Sequence, residues 1–268
     1  MKIISWNING YRAISGQNPK TKYGKKFYKN YLFKYIEEQN PDIICLQETK
    51  SDIDEINEDL RFPNGYVGYY NSSRSKKGYS GTVTFSKKKP QSVNLEIGID
   101  KFDQEGRIVE ADFGDFIHYN IYFPKGYADS ERLDFKLEFY DSLFEHINKK
   151  MDEGREIIVS GDYNTAHKEI DLARPKENVG TSGFMPEERK KLDEIIAMGY
   201  IDAFRQIISE GNHFTWWSQR GKARENNVGW RIDYHFITNN LSKKLINAYH
   251  HPDQKGSDHC PVVIELDL

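Results

Sequence analysis

Short apolar runs, several alternating with polar residues, recur along the chain between Gly, Pro, Asn and Asp clusters and predict strands. They are KIISW, DIICLQ, YVGYY, YSGTVTF, RIVEADF, FIHYNIYF, EIIVS, FTWW, RIDYHFIT and PVVIEL. Helical periodicity is rarer. Residues 28–38 place Tyr28, Leu32, Tyr35 and Ile36 on one face, and Pro41 closes the segment. Residues 131–150 carry a stripe of Leu133, Leu137, Tyr140, Phe144 and Ile147. Residues 186–198 open on Pro186 and stop before Gly199, the usual asymmetry of helix ends. The Lys-rich stretch 15–30 reads as a surface loop entering a helix. Many strands with interspersed helices predict stacked sheets covered by helices, with residues 1–268 forming a single domain.

Composition narrows the class. With 268 residues, 37% hydrophobic and 29% charged, the chain can bury a sizeable core and reads as a soluble globular protein. No apolar run reaches membrane-spanning length, and MKIISWNING turns polar too early for a signal peptide. Two cysteines make no disulfide framework, and Cys45, inside a strand-like run, is expected to be a buried inert thiol. A reducing cytoplasm is the expected compartment. The net charge of −3 argues mildly against nucleic acid. Its distribution argues the other way: residues 11–36, 71–89 and 220–224 are basic and acid-free. Such stretches are either ordinary solvated loops or one positive face for a polyanion.

The chemistry collects at strand ends. KIISW ends on Asn7, DIICLQ on Glu48, and EIIVSG on Asp162 and Asn164. Asp233 lies near the start of RIDYHFIT, and Asp258 and His259 immediately precede PVVIEL. Each alone is most simply a turn residue. Together they suit one chemistry. Carboxylate and amide oxygens bind Mg²⁺, a second carboxylate activates water, and a histidine held by a carboxylate stabilises phosphoryl charge. The set points to metal-assisted phosphodiester hydrolysis. Serine-hydrolase, zinc and P-loop readings lack their motifs: GYSG is no nucleophile elbow, and HHPD has no companion ligands at zinc spacing.

The blocks WNING, LQETK, GYSG, DQEGR, YFPKG, GDYNTAHKEIDL, GFMPEER, NVGWRIDY and GSDHCPV make the whole chain resemble the exonuclease III family of AP endonucleases, within the endonuclease/exonuclease/phosphatase superfamily. DLARPKEN and ERLDFKLEFYD look closest to archaeal members. The resemblance implies a DNase I-like four-layer α-β-β-α sandwich of two mainly antiparallel sheets. It implies Mg²⁺-dependent cleavage of duplex DNA 5′ to an abasic site, with Mn²⁺ as substitute. Side activities it implies are 3′→5′ exonuclease, action on 3′-blocked ends, and nicking at deoxyuridine. One or two ions are used. Glu48 looks like the main metal ligand, with Asp258 and Asn7 nearby, and Asp162 and Asn164 would hold a second ion. Asp162 would activate water, Asn164 orient it, Asp233 hold His259, and Tyr122 contact the scissile phosphate. Trp216, Trp230 and Ile232 resemble the wall of the pocket for the extruded abasic sugar. Arg12, Lys50, Gly78, Tyr79, Arg107 and Asn178 match DNA-contacting positions.

The chain departs from the family at several points. Lys125 replaces a phosphate-contacting Asn and supplies a point charge instead. Thr181 stands where some relatives have a second Asn, and Trp216 where Phe is common. Gln219 and Arg220 replace bulkier residues in a loop that wedges into DNA, and Arg220 can reach into a groove. The alternative expectation is a less specific nuclease, or a small-molecule phosphodiesterase of the same superfamily. A monomer is expected, since an asymmetric lesion needs no two-fold partner.

Overall fold

The computed structural model describes residues 1–22, 25–127 and 130–268; for residues 20–27 and 130 it describes the backbone alone. Two six-stranded sheets form the centre. The first has the order Leu245–His250, Val262–Leu266, Lys2–Asn7, Ile43–Gln47, Thr82–Ser86, Val67–Asn71. The second has the order Ile201–Asp202, Asp233–Ile237, Ile157–Asp162, Ile117–Tyr122, Ile108–Asp112, Ser92–Asn94. Each sheet is antiparallel except for one central parallel pair: Lys2–Asn7 with Ile43–Gln47, and Ile157–Asp162 with Ile117–Tyr122.

Those two parallel pairs position the chemistry. Parallel neighbours finish at the same edge, so Asn7 ends beside Gln47, and Asp162 beside Tyr122. The antiparallel neighbours begin where these end. Asp233 opens its strand directly opposite Asp162, and Val262 opens its strand opposite Ser5, leaving Asp258 and His259 just beyond the edge.

Strict alternation builds the layers. Ile3 faces the inter-sheet core with Ile43, Ile158 and Ile237. Ile4 and Trp6 face outward onto Leu32, Tyr35 and Ile36 of the helix Tyr31–Gln39. On the other side, Tyr119, Ile121, Ile157 and Val159 pack against the helices Ser130–Asp152 and Pro186–Ala197 through Phe139, Leu143, Ile147, Leu192 and Ile195. The result is the four-layer α/β sandwich expected from the sequence.

The inter-sheet faces become polar toward the functional edge. Beyond the isoleucines, Ser160 Oγ lies 2.9 Å from His118 Nε2 and 2.7 Å from His235 Nδ1. Further up, Gln47 Nε2 donates to Asn120 Oδ1 at 2.8 Å and to Ser5 Oγ at 3.0 Å. Cys45 is buried as expected, and burial pushes its thiol pKa well up.

Some elements differ from the sequence pattern. The first long helix starts at Tyr31, because Asn30 caps it by accepting from Phe33 N–H at 2.8 Å; Tyr28 stays outside and exposed. In Ser130–Asp152, Leu133 and Leu137 are only half-buried, while Lys136 is fully buried. FTWW becomes a two-residue ribbon, Trp216–Trp217 against Gly229–Trp230. In the Lys-rich stretch, the backbone of Lys20–Lys22 pairs with Lys25–Phe27; residues 23–24 and the side chains of 20–27 lie outside the described residues.

Candidate active site

The site assembles on that edge because the strand ends leave it no other place. Gly161 lets the central strands of the second sheet close up: a Cβ there would lie 1.8 Å from the Ile121 carbonyl oxygen. The chain then turns at Asn164 (φ 50) and at Glu48 (φ 53), both in the left-handed region. Backbone bonds support these costly conformations. Gly10 N–H donates to Glu48 O at 2.8 Å, and Asn164 N–H donates to Asp162 Oδ1 at 2.8 Å.

Asn7 joins the two sheets. Its Nδ2 lies 2.8 Å from Glu48 Oε1 and 2.8 Å from Asp162 Oδ2. Glu48 Oε2 meets Lys50 Nζ at 2.7 Å, Lys50 donates to Asn9 Oδ1 at 2.5 Å, and Asn9 Nδ2 donates to Asp258 Oδ1 at 2.9 Å. Trp216 Nε1 donates to Asp258 Oδ2 at 3.2 Å. On the other flank, His259 Nδ1 lies 2.9 Å from Asp233 Oδ2, which also accepts from Thr215 Oγ1 at 2.5 Å. The far nitrogen of that imidazole, Nε2, is 3.9 Å from Asp162 Oδ2. Oxygens of Glu48 and Asp162 and a ring nitrogen of His259 lie within 4.8 Å of one another, a spacing at which the two carboxylates can share a cation.

Burial and charge set the protonation states. Burial raises the pKa of Asp162, and the like charge of Asp233 raises it further. Burial would lower that of His259, but Asp233 and then Asp162 overcome it and keep the imidazole protonated well above its ordinary range. Glu48 is pulled below the carboxylate range against burial, by Lys50 and then Asn7; Asp258 likewise by His259 and Asn9. Tyr122 is pushed well up, first by burial and then by Glu48, so it stays a neutral phenol. The site thus pairs ionised metal-ligand candidates with one carboxylate of near-neutral character and one imidazolium.

Beside it, Ala166, Leu172, Phe184 and Ile232 form an apolar cluster with Trp216 and Trp230 against it. Trp230 stands edge-on to Trp216 (6.5 Å, 82°) and to Phe184 (6.3 Å, 83°). The three sequence-expected wall residues are therefore together, while Trp217 belongs to a separate core with Phe214 and Cys260. Gly78, Lys125 and Arg220 are exposed, and Arg12, Lys50, Tyr79 and Asn178 partly so. Arg107 corrects the sequence expectation. Its guanidinium is 1% exposed, bound to Glu105 at 2.5 Å, and it cannot present itself to DNA. It lies over the Tyr122 ring at 4.8 Å and donates to the Tyr79 hydroxyl at 2.8 Å, so it supports the buried Tyr122 and the partly exposed Tyr79.

Sequence reading gave no role to Asn9, Thr215 or Phe184. Asn9 lies in WNING and Phe184 in GFMPEER, but their partners, Asp258 and Trp230, are distant in sequence. Thr215 carries no motif signal at all.

A four-layer sandwich whose edge gathers oxygen ligands, a buried carboxylate and an Asp–His pair defines a metal-assisted phosphodiesterase. The model of the Endonuclease/Exonuclease/phosphatase family matches residues 4–259, and the chain belongs to that family. An exodeoxyribonuclease of Bacillus subtilis (strain 168) is 38% identical to it over 269 residues, covering 100% of both chains. A DNA-(apurinic or apyrimidinic site) endonuclease of Dictyostelium discoideum is 37% identical, over 100% of this chain and 71% of that one. The structure of an AP endonuclease from Archaeoglobus fulgidus matches with a TM-score of 0.87 at 25% identity, covering 100% of both chains. The chain is a hydrolytic nuclease of the exodeoxyribonuclease and AP endonuclease type.

Proposed function

We propose that this chain is a Mg²⁺-dependent AP endonuclease of DNA base excision repair. It hydrolyses the phosphodiester 5′ to an abasic site and leaves a 3′-hydroxyl and a 5′-deoxyribose phosphate. It acts as one catalytic domain, as a monomer and in the cytoplasm, associated with the nucleoid if the source is prokaryotic. Exonuclease, 3′-phosphatase and deoxyuridine-nicking activities accompany the main one. The observation that carries the reading is Asp162, flanked across the sheet by Asp233 and Tyr122, facing His259, and joined through Asn7 to Glu48.

The donor set fits a hard cation: carboxylate oxygens of Glu48, Asp258 and Asp162, with the Asn7 and Asn164 amides beside them. Glu48 and Asp258 would hold the main ion, and Asp162 with Asn164 a second. Bound Mg²⁺ supplies charge stabilisation at the phosphate. Asp162, its pKa raised by burial and then by Asp233, takes a proton from the attacking water. Asn164 N–H holds one Asp162 oxygen, which aims the other. His259 stays an imidazolium on Asp233 and donates from Nε2 to a phosphoryl oxygen. Tyr122, a neutral phenol, donates to the departing O3′ oxygen as the P–O3′ bond breaks, so that it leaves as the 3′-hydroxyl, and the phenol regains its proton from solvent. Trp216, Trp230 and Ile232 take the extruded sugar, which has no base to exclude. Arg12, Lys50, Lys125, Asn178 and Arg220 hold the DNA backbone around it.

The test is a labelled duplex with one abasic-site analogue, run beside undamaged and deoxyuridine duplexes, each with Mg²⁺ and with EDTA. Metal-dependent incision at the abasic site is expected, with Asp162→Asn slower by on the order of a thousandfold. Equal rates on damaged and intact duplexes would sink the lesion specificity.

A further inference from the structure

Three motif loops close on one buried ion pair. Lys136, in the helix Ser130–Asp152, and Glu188, in Pro186–Ala197, are both fully buried and meet at 2.6 Å. Lys136 Nζ also donates to the Asn164 carbonyl oxygen at 2.7 Å, in the loop that follows Asp162. The second Glu188 oxygen accepts from the N–H groups of Gly183 at 2.6 Å and Met185 at 3.1 Å. Gly183 fits against both sides of the site: a Cβ there would lie 3.2 Å from Asn164 O and 3.3 Å from the Trp230 ring. The third loop arrives at Gly126, where a Cβ would lie 2.9 Å from Glu188 Oε1 and 3.2 Å from Ser182 Oγ. The Ser182 hydroxyl donates to the Gly126 carbonyl and ties the last two loops together.

Stability does not explain such a pair. Well-packed apolar residues usually stabilise a core as well as a buried ion pair does. What the pair adds is direction. One ammonium binds Glu188 and the Asn164 carbonyl together, and one carboxylate binds the ammonium and two backbone N–H groups. Asn164 adopts a φ of 50°, which Asn tolerates better than most residues, so what the pair fixes is where this turn sits rather than its conformation. It is also the residue whose N–H fixes Asp162.

We propose that Lys136 and Glu188 are positioning residues for the nuclease site. The pair sets the spacing between the Asp162–Asn164 turn and the Gly183–Phe184 segment behind Trp230. It thereby couples the hydrolytic carboxylate to the wall of the sugar pocket. The inference rests on the function proposed above.

The experiment compares Lys136→Arg, Lys136→Met, the double variant Lys136→Met/Glu188→Gln and Gly126→Ala by kcat, KM and melting temperature. The double variant keeps an oxygen for Gly183 and Met185 and leaves no unpaired charge. Its kcat is expected to fall about tenfold or more at a KM within about threefold of wild type and an almost unchanged melting temperature. Lys136→Arg, which keeps a donor for Asn164, should retain more kcat than Lys136→Met. If the double variant does not fold, Gly126→Ala decides, because its methyl presses on Glu188 without removing a charge; the same loss of kcat is expected. A folded double variant or Gly126→Ala with kcat near wild type overturns the proposal, as does kcat that merely follows melting temperature across the set. Rates are taken on whichever phosphodiester the wild type cleaves fastest. Failure of the wild type on abasic DNA therefore counts against the proposed function alone.

Discussion

Asp233 holds the protonation pattern of the site together: it stands in register with Asp162 across the sheet and lies 2.9 Å from His259 Nδ1. It is the largest upward influence on His259 and, after burial, on Asp162. Asp233→Asn keeps the shape and removes the charge. His259 then loses the support that outweighs burial, and Asp162 loses the like charge that raises it. Incision should fall by about two orders of magnitude or more, as when a histidine loses its orienting carboxylate. Imidazole resonances followed by NMR against pH should show His259 titrating lower than in wild type; an unmoved titration would count against this account. Lys50 gives a second expectation at the same scale. Its ammonium sits on Glu48 Oε2 at 2.7 Å, so it competes with any cation for that oxygen. Such a partly exposed pair is worth on the order of 1 kcal/mol. Lys50→Met should therefore bind Mg²⁺ up to about fivefold more tightly by calorimetry while its KM for DNA rises. Weaker Mg²⁺ binding would mean that Lys50 holds Glu48 in place rather than competing for it.

At the scale of elements, the two central parallel pairs explain why residues spread from Asn7 to His259 meet at one edge. Their strands carry a polar seam between the sheets, and that seam has a pH signature. Burial lowers the His118 pKa to about 3 and that of His235 to about 4. Both lie below the ordinary histidine value of about 6.5. Between these values the unfolded chain binds protons that the folded one refuses. Stability therefore rises with pH in that window and is lost as pH falls from about 6.5 toward 4. His235→Gln removes one of the two groups, and the acid limb of the urea-unfolding free energy should flatten by up to about 1.4 kcal/mol per pH unit. The opposing tendency of Asp162 is common to both proteins and cancels in the difference. Parallel profiles would show that His235 does not stay neutral. Strand ends, the helix Pro186–Ala197 and the polar residues that gather beyond the strand ends were legible in the sequence, because alternation, capping and oxygen-bearing residue types are local signals. The parallel pairing was not, since nothing within a strand states its neighbour. Nor was the rotation of Ser130–Asp152, which buries Lys136 rather than Leu133 and Leu137. The face it buries also carries Phe139, Leu143 and Ile147, and Lys136 finds its partner in Glu188, 52 residues away. Arg107 was misplaced for a similar reason: its carboxylate partner Glu105 is near in sequence, but its burial under Tyr122 comes from strand pairing.

For the whole molecule, the net charge of −3 and a DNA substrate look opposed, and the distribution of charge reconciles them. Glu55, in the acidic segment after Lys50, lies 2.8 Å from Lys77 and 4.0 Å from Arg12, so it neutralises part of the positive face. Lys125 and Arg220 are exposed on loops around the site and have no such partner in the ion pairs described. With Arg12 and Lys50 each shared with a carboxylate, backbone neutralisation should involve between about two and four phosphates, which gives a slope of about −1.8 to −3.6 for log K against log salt on duplex DNA. Fluorescence anisotropy in EDTA measures that slope without turnover. Lys125→Met and Arg220→Met should each make it shallower by about 0.9, with additive effects, since each removes one phosphate contact. Glu55→Gln should act in the opposite direction, by freeing Arg12 and Lys77 to meet the backbone. A slope unchanged in both cation variants would place the DNA elsewhere on the molecule. A slope steepened by Glu55→Gln would show that Glu55 withholds Arg12 and Lys77 from the backbone, so that this fold sets the strength of its grip on DNA by internal neutralisation.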